Sequence, residues 1–501
     1  MRVALFLVLS MLLASIPMAV AQGDSQEDTS WPGEPIDSHV HMTWAAMTLE
    51  VNEWADDYPE IVELFSIGQT ELGREIWMLQ ISDWEGGACS SEFSEIDGCE
   101  HYKSNGERKE VVYIDGGHHG NEHLGTELAF LVAEYYIEGW GNGDELALEI
   151  LANTELHVLI MLNADGNDFD TRWNVNQVDL NRNYDHYWNT CDSTQPGSSA
   201  FSESETLANS VYMNEVVPDA DLYITMHTGV WIMLYPWGKW PEQPSDWEMY
   251  YKIRDEVNSN ISEIPIRNAN QGLYPNCGTS RDYGYGVMGY PTFTFETDDE
   301  QFLLGTIEPL SDRLGEELDV MHYLISNVWY WRARLVVDSL EVEDGEVRLS
   351  VSNLGHASTS NATLLYFENR DTSEFWLPGA DEPTEMSGNI NLQDIGQNFN
   401  FSTPGYGFAV NATNGTYTTL DFTKAPISSG DGIWALYYQK RVIDSSMWVE
   451  EPVNESVVEM KAGGSGTLPA PSMLLVFVAF TLAAINGRSK GHEGNINPRR
   501  Y

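Results

Sequence analysis

The sequence predicts an α/β protein: a mixed, mostly parallel twisted sheet flanked by helices, followed by a smaller antiparallel β-sandwich. Three observations carry this. From about Asp37 to about Arg334, short apolar runs alternate with segments whose apolar residues recur at helical spacing, the signature of a layered α/β fold. After about Leu335 the texture changes to apolar–polar alternation between Gly, Asn and Asp turns, the pattern of a sandwich, immunoglobulin-like in its spacing. An apolar segment near each end frames these two regions and belongs to neither.

Taken in order, Arg2 precedes "VALFLVLSMLLASIPM" and then the small-residue pattern "AVAQ", so residues 1–21 read as a secretory signal cleaved after Ala21. Residues 22–36 read as a polar linker, too short to hold a bulky pro-domain. Within 37–334, "REIWMLQIS", "VVYIDGG", "LHVLIMLN", "DLYITMH" and "PTFTFE" read as buried strands. "GTELAFLVAEYYIEGW" and "SDRLGEELDVMHYLISNVWYWRARL" read as helices. Over 335–460, "LEVEDGEVRLSVSNLG", "NATLLYFENR" and "GIWALYYQKRVI" supply sandwich strands, and "GGSGT" in 461–467 is a flexible tether. Residues 468–485 are uncharged and match the ~18 residues that cross a bilayer. Arg488, Lys490, Arg499 and Arg500 follow in 486–501 and would leave this tail cytoplasmic. The same layout fits a sorting signal that is removed and replaced by another anchor. Either way the region between the apolar segments is expected outside the cell, at its surface.

Cysteine content agrees with export. Of the three connectivities open to four cysteines, the reading takes Cys89–Cys99 across a short loop and Cys191–Cys277 as the remaining pair. Sequons begin at Asn260, Asn361, Asn400, Asn411, Asn414 and Asn454. The formal charge of −52 excludes a nucleic-acid binder, which needs basic surface to neutralise phosphates, and implies a heavily solvated, salt-tolerant exterior. It also makes each basic side chain informative: residues 160–300 hold only seven Lys or Arg.

The stretch "VVYIDGGHHGNEHLGTE" at 111–127 concentrates candidate chemistry. A strand ending at Gly116-Gly117 delivers the following residues to the carboxyl edge of the sheet, where α/β folds bind ligands. His118 has only Asn121 three residues on, and His123 and Glu127 fall on the start of the next helix. His119 and Glu122 form H-x-x-E, one imidazole and one carboxylate on a single turn. A catalytic zinc site takes three such N and O ligands and keeps one position for water.

With these residues the chain resembles the metallocarboxypeptidases of the carboxypeptidase A and B type. The resemblance runs through "LYITMHTGVWIMLYPWG", "LNADGNDFDTRWNVNQVDLNRNYD", with Ala164 where the family has proline, "YPNCGTSRDYGYGVMGYPTFTFE", and the amino-terminal "YPEIVELFSIGQTELGREIWMLQIS". It covers about Asp37–Arg334. It implies that His119, Glu122 and His227 hold one Zn2+. It implies that Arg172 polarises the scissile carbonyl, that Asn181 and Arg182 grip the substrate's free carboxylate, and that Tyr274 closes over the substrate. Glu296 would be the general base. The partners implied are peptide or protein C-termini, and a guanidinium that forks onto a carboxylate suits an exopeptidase. Donors placed in advance for the developing oxyanion are each worth ~3–4 kcal/mol of barrier.

Arg281 stands where the family's pocket for the terminal side chain has its base. A cation there implies a preference for C-terminal Glu or Asp, the alternative being an internal partner such as Asp282 or Asp298. Two other functions stay open: a zinc amidase of this fold acting on cell-wall peptides or acylated amino acids, and a non-catalytic surface binding protein. "IDSHVHMTW" looks like an amidohydrolase metal motif, but the further strand–helix units of such a barrel are missing. "NADGNDFD" has its glycine at the fourth position, where a calcium loop of the EF-hand type needs it at the sixth.

Overall fold

The computed structural model describes residues 42–297 except 96, 193 and 194, then 307–357 except 344 and 345, and further strands as far as 460; beyond 297, side chains are described for 314–334 and 354–357. The secretory signal, the amino-terminal linker, the apolar segment at 468–485 and the basic tail lie outside these residues. Among the described residues no helix is long and apolar enough to cross a membrane.

The chain enters through α1 (Trp44–Asp57), capped by Thr43, whose hydroxyl accepts from the Ala46 N–H. A hairpin follows, β1 (Val62–Gln69) and β2 (Glu75–Ile81). Next come β3 (Glu110–Gly116), α2 (His123–Asn142), α3 (Glu145–Asn153) and β4 (Thr154–Leu159). Gly143 stops α2 at φ 75°, a left-handed cap that glycine adopts without steric cost. After α4 (Ala164–Asp168) and α5 (Ser204–Glu215) come β5 (Leu222–Thr228), β6 (Ile232–Tyr235), α6 (Trp247–Asn260) and β7 (Ile266–Asn268). The chain then forms α7 (Ala269–Gly272), α8 (Ser280–Gly286), β8 (Thr292–Thr297) and α9 (Ile307–Ser326).

These strands make one eight-stranded sheet in the order β1-β2-β4-β3-β5-β8-β6-β7. The central four, β4-β3-β5-β8, are parallel, while β1, β2 and β6 join antiparallel to their inner neighbours. This is the mixed, mostly parallel sheet expected from the alternating pattern. β4 and β5 are buried along their whole length, because helices cover both faces of the parallel centre. The short β6 and β7 were not resolved by sequence patterning: "IMLY" merges into the apolar run after β5, and three residues of β7 carry no period.

β3 lies between β4, its successor, and β5, which enters on its other side. That reversal opens a crevice at the carboxyl ends of β3 and β5, the usual ligand position of such sheets. α2 seats directly on the end of β5 because Gly125 has no side chain. A Cβ there would stand 2.8 Å from the His227 backbone nitrogen and 2.9 Å from its Cα.

Both disulfides join the expected partners, Cys89–Cys99 and Cys191–Cys277, with Cα separations of 5.0 and 5.7 Å. The calcium-like "NADGNDFD" becomes α4, where Asp165 accepts from the Leu72 N–H and pairs with Arg74. Beyond 334, β9 (Leu335–Glu343), β10 (Glu346–Asn353), β11 (Asn361–Glu368), β12 (Gly388–Gln393), β13 (Ala409–Asn411), β14 (Gly415–Leu420), β15 (Gly432–Asp444) and β16 (Met447–Met460) pair antiparallel. They form two four-stranded sheets, β13-β14-β10-β9 and β12-β11-β15-β16. The sandwich expected there rests on side chains that, apart from 354–357, lie outside the described residues.

Candidate metal centre and cleft

At the carboxyl edge, three residues from two elements deliver donor atoms to one point. His119 and Glu122 come from the turn between β3 and α2, and His227 from the last turn of the β5 ladder. All three are buried, and their ligand atoms lie within 4.8 Å of one another. Glu122 presents one oxygen to each ring: Oε1 is 2.7 Å from His119 Nδ1 and Oε2 is 2.9 Å from His227 Nδ1. The two Nδ1 atoms are 3.3 Å apart. Four ligands about 2.0–2.1 Å from a zinc ion, arranged tetrahedrally, have edges of about 3.3 Å. The donor set therefore fits a single zinc in both chemistry and spacing.

The surrounding charges suit that purpose. Burial alone would raise the Glu122 carboxyl, but His119 and His227 beside it more than offset this and hold it well below the usual carboxylate range. The far side of His119 is held by Asp179, whose Oδ1 is 2.9 Å from Nε2. Asp179 also accepts from Arg172 through Nε and Nη2 at 3.1 and 3.0 Å. Arg172 reaches Glu122 Oε1 at 3.0 Å with its other terminal nitrogen. Asp179 thus fixes both a ligand and the neighbouring guanidinium, a role absent from the sequence reading although Asp179 opens the "DLNRN" motif. Such outer partners orient the imidazole and set which nitrogen faces the metal.

Glu296, on β8, is the direct register partner of His227 across the parallel β5–β8 ladder. Both side chains therefore emerge on the same face of the sheet. Burial pushes the Glu296 carboxyl up to about 7, and the Glu122 charge adds to the effect. A carboxyl poised there can hold or release a proton near neutral pH.

Glu296 lines a cleft of about 160 Å³ together with His119, Glu122, Arg172, Asn181, Arg182, Tyr274 and Arg281. With His227 in the donor set, every residue proposed from sequence meets at this one place. Arg182 is buried and donates to the Asn181 carbonyl at 2.6 Å and to the Tyr274 hydroxyl at 3.1 Å. Tyr274 is half exposed at the mouth, where a ligand could displace that contact.

Arg281 is 3% exposed and does have an internal partner. Its Nε donates to Asp282 Oδ1 at 2.9 Å, its Nη2 to Asn276 Oδ1 at 2.8 Å, and its Nη1 to Thr294 Oγ1 at 3.3 Å. Of the two candidates named from sequence, Asp282 is the partner found, and Asp298 lies outside the described residues. Gly238 roofs this group. A Cβ there would stand 2.1 Å from Asn276 Oδ1 and 2.2 Å from Arg281 Nη2. The other histidines of the opening stretch stay out of the donor set. His118 is buried beneath His227, its ring stacked at 5.4 Å, and His123 Nε2 faces Asp170 at 3.3 Å.

Comparison with known proteins agrees with this layout. The family model described as zinc carboxypeptidase matches residues 48–311, more than half of the chain. Carboxypeptidase B of Astacus astacus is 23% identical over 282 residues, covering 50% of this chain and 85% of that protein. Human mast cell carboxypeptidase A is 24% identical, over 51% of this chain and 63% of its own length. Human carboxypeptidase D is 29% identical, over 49% of this chain and 17% of its own. Among solved structures, thrombin-activatable fibrinolysis inhibitor shares the fold at a TM-score of 0.51 and 19% identity, covering 61% of this chain and 78% of that one.

Proposed function

Because the chain belongs to the zinc carboxypeptidase family, we propose that it removes the C-terminal residue of peptides or proteins, with His119, Glu122 and His227 holding one zinc ion. The observation that carries this reading is the buried meeting of two imidazoles and the Glu122 carboxylate at the edge of a cleft that Glu296 and three arginines line. When bound there, zinc would polarise the scissile carbonyl and bring the pKa of a bound water toward ~7. Everything else falls to the protein's own groups.

Glu296 takes the proton from the attacking water and returns it to the departing amine. Arg172, steadied by Asp179, presents its remaining N–H groups to the carbonyl oxygen as charge develops there. Arg182 and Asn181 receive the substrate's free carboxylate, and Tyr274 leaves Arg182 to close over the bound chain. The cleft is closed beneath these residues by Arg281 and Thr294, which suits a chain end better than a chain passing through.

The same reading extends to a preference for C-terminal Glu or Asp. Asp282 offsets much of the Arg281 charge, so the support is no longer an unpaired cation. It is a set of directed donors: among the described residues Arg281 Nη1 bonds only the Thr294 hydroxyl, at 3.3 Å, and can turn to a stronger acceptor. A hydrogen bond from a charged group contributes about 1.5–3 kcal/mol, or roughly 10–100-fold in selectivity. The disulfides support export, and we place the chain at the cell surface, held by its C-terminal apolar segment.

The test is a scan of peptides differing only in their last residue, with Glu296→Gln as the blank and a chelated sample restored by zinc. Glu and Asp are expected to be released fastest, and Arg281→Asp should shift preference to Lys and Arg. An unchanged profile in Arg281→Asp rejects the acidic preference alone. Turnover of acylated amino acids or cell-wall fragments with peptides left intact would move the substrate to the amidase alternative.

A further inference from the structure

The two histidines of the donor set are supported unequally. His119 has Asp179 behind it, but among the described residues no carboxylate touches the far nitrogen of His227. Its Nε2 has two neighbours, Asn181 Nδ2 at 3.1 Å and Thr225 Oγ1 at 3.4 Å. The Asn181 amide is oriented by the Ser280 N–H, which donates to Oδ1 at 3.0 Å, so nitrogen is what it turns toward His227. An amide nitrogen donates and cannot accept. With Nδ1 offering its lone pair to a metal, Nε2 carries the hydrogen and needs an acceptor.

We propose that Thr225 is the positioning residue for His227: its hydroxyl, which also has Ser280 Oγ at 3.4 Å and His118 Nδ1 at 3.5 Å beside it, accepts the Nε2–H. This rests on the reading of His227 as a zinc ligand. Thr225 precedes His227 by two residues in β5, so both side chains project from the same face of the strand. Asp115 is the register partner of Thr225 on β3 and is fully buried beside it. The carboxylate is fixed in turn by the Tyr223 hydroxyl at 2.7 Å and Asn209 Nδ2 at 3.0 Å, both donating to Oδ2. His118, 3.5 Å from Asp115 Oδ1 and stacked on the His227 ring, fills the remaining side of this polar floor. The arrangement parallels Asp179 and His119, with a hydroxyl in place of the carboxylate behind the imidazole. It also leaves the Asn181 nitrogen free to turn to the substrate carboxylate.

The test measures zinc affinity of the full chain by competition with a chromophoric chelator, together with the visible absorption of the cobalt-substituted protein. Thr225→Val keeps the shape and removes the acceptor, and Thr225→Ala provides a second variant without a hydroxyl. Each should bind zinc roughly 10–100-fold more weakly, the usual effect of losing an outer partner, and shift the cobalt spectrum. Thr225→Ser should restore both. Melting of the metal-free proteins at the parent's temperature identifies the variants that keep the fold. A folded hydroxyl-free variant with the parent's affinity and spectrum, or a serine variant as weak as alanine, overturns the proposal alone. A parent that binds no zinc overturns the ligand set and this proposal with it.

Discussion

Glu127 closes the histidine-rich stretch, yet it points into the core from the second turn of α2 and is 2% exposed. Its Oε2 has no hydrogen-bond partner, and burial pushes its carboxyl from 4.5 up to about 8, against a small opposing effect from the Met42 N–H. The folded state therefore holds a proton that the unfolded chain releases above about pH 4.5. The sign follows directly: this stability is fully present below pH 4.5 and is lost as pH rises toward 8. A shift from 4.5 to about 8 at 1.36 kcal/mol per unit corresponds to about 4–5 kcal/mol over the whole window, and about 3 kcal/mol by pH 7. Glu127→Gln keeps the shape and the acceptor for Met42 and removes the titration. Urea unfolding of chelated parent and variant at pH 5, 7 and 8.5 should therefore show a stability difference that grows with pH in the variant's favour. A difference that stays constant from pH 5 to 8.5 would refute the claim that Glu127 is buried as the neutral acid.

Three further outcomes are expected. Glu296→Gln should lower kcat by roughly 10²–10⁴-fold while zinc content, measured by atomic absorption, stays at one per chain; a smaller loss would place the base elsewhere. Asp179→Asn should weaken zinc binding by roughly 10–100-fold, about 1.4–2.8 kcal/mol, because His119 and Arg172 lose a shared anion; calorimetric titration gives the number. With a net charge of −52, raising salt from 0.1 to 1 M shortens the screening length from about 10 to about 3 Å and should raise the melting temperature, and a flat response in a thermal scan would remove self-repulsion as a factor.

What could be read from sequence was what a strand end dictates. Gly116-Gly117 closes an apolar run and H-x-x-E follows, which puts His119 and Glu122 at the carboxyl edge; His227 and Glu296 were named through the resemblance of "LYITMHTG" and "PTFTFE" to carboxypeptidase segments. Hydrogen-bond partners were not legible in this way. Asp179, Asp115 and Thr225 are polar residues in buried stretches, and which nitrogen each serves depends on strand order and register, which a linear pattern does not carry. Arg281 shows both sides: its place in the cleft followed from its distance to Glu296, but the choice of Asp282 as partner depended on α8 turning that carboxylate back toward the Gly238 N–H, which donates to it at 2.9 Å. Gly125 was silent for a related reason. Its importance lies in how closely two backbones approach, and no residue type announces that.

The distance between His227 and Glu296, the proposed metal ligand and base, is set by the sheet and not by loops. His227 and Glu296 are paired residues on adjacent strands, whose backbones are held about 4.8 Å apart by the ladder. A slip of one residue between β5 and β8 would send one of the two side chains to the opposite face, so the core that fixes register also fixes the chemistry. Tyr223, Ile224, Met226, Phe293 and Phe295, all fully buried on these two strands, oppose such a slip. The exposed parts of the site lie at the mouth, where Tyr274 is half exposed and Arg172 is partly so. On the proposed reading, a ladder that fixes His227 and Glu296 beside a more exposed rim keeps ligand and proton acceptor in place while successive chain ends enter and leave.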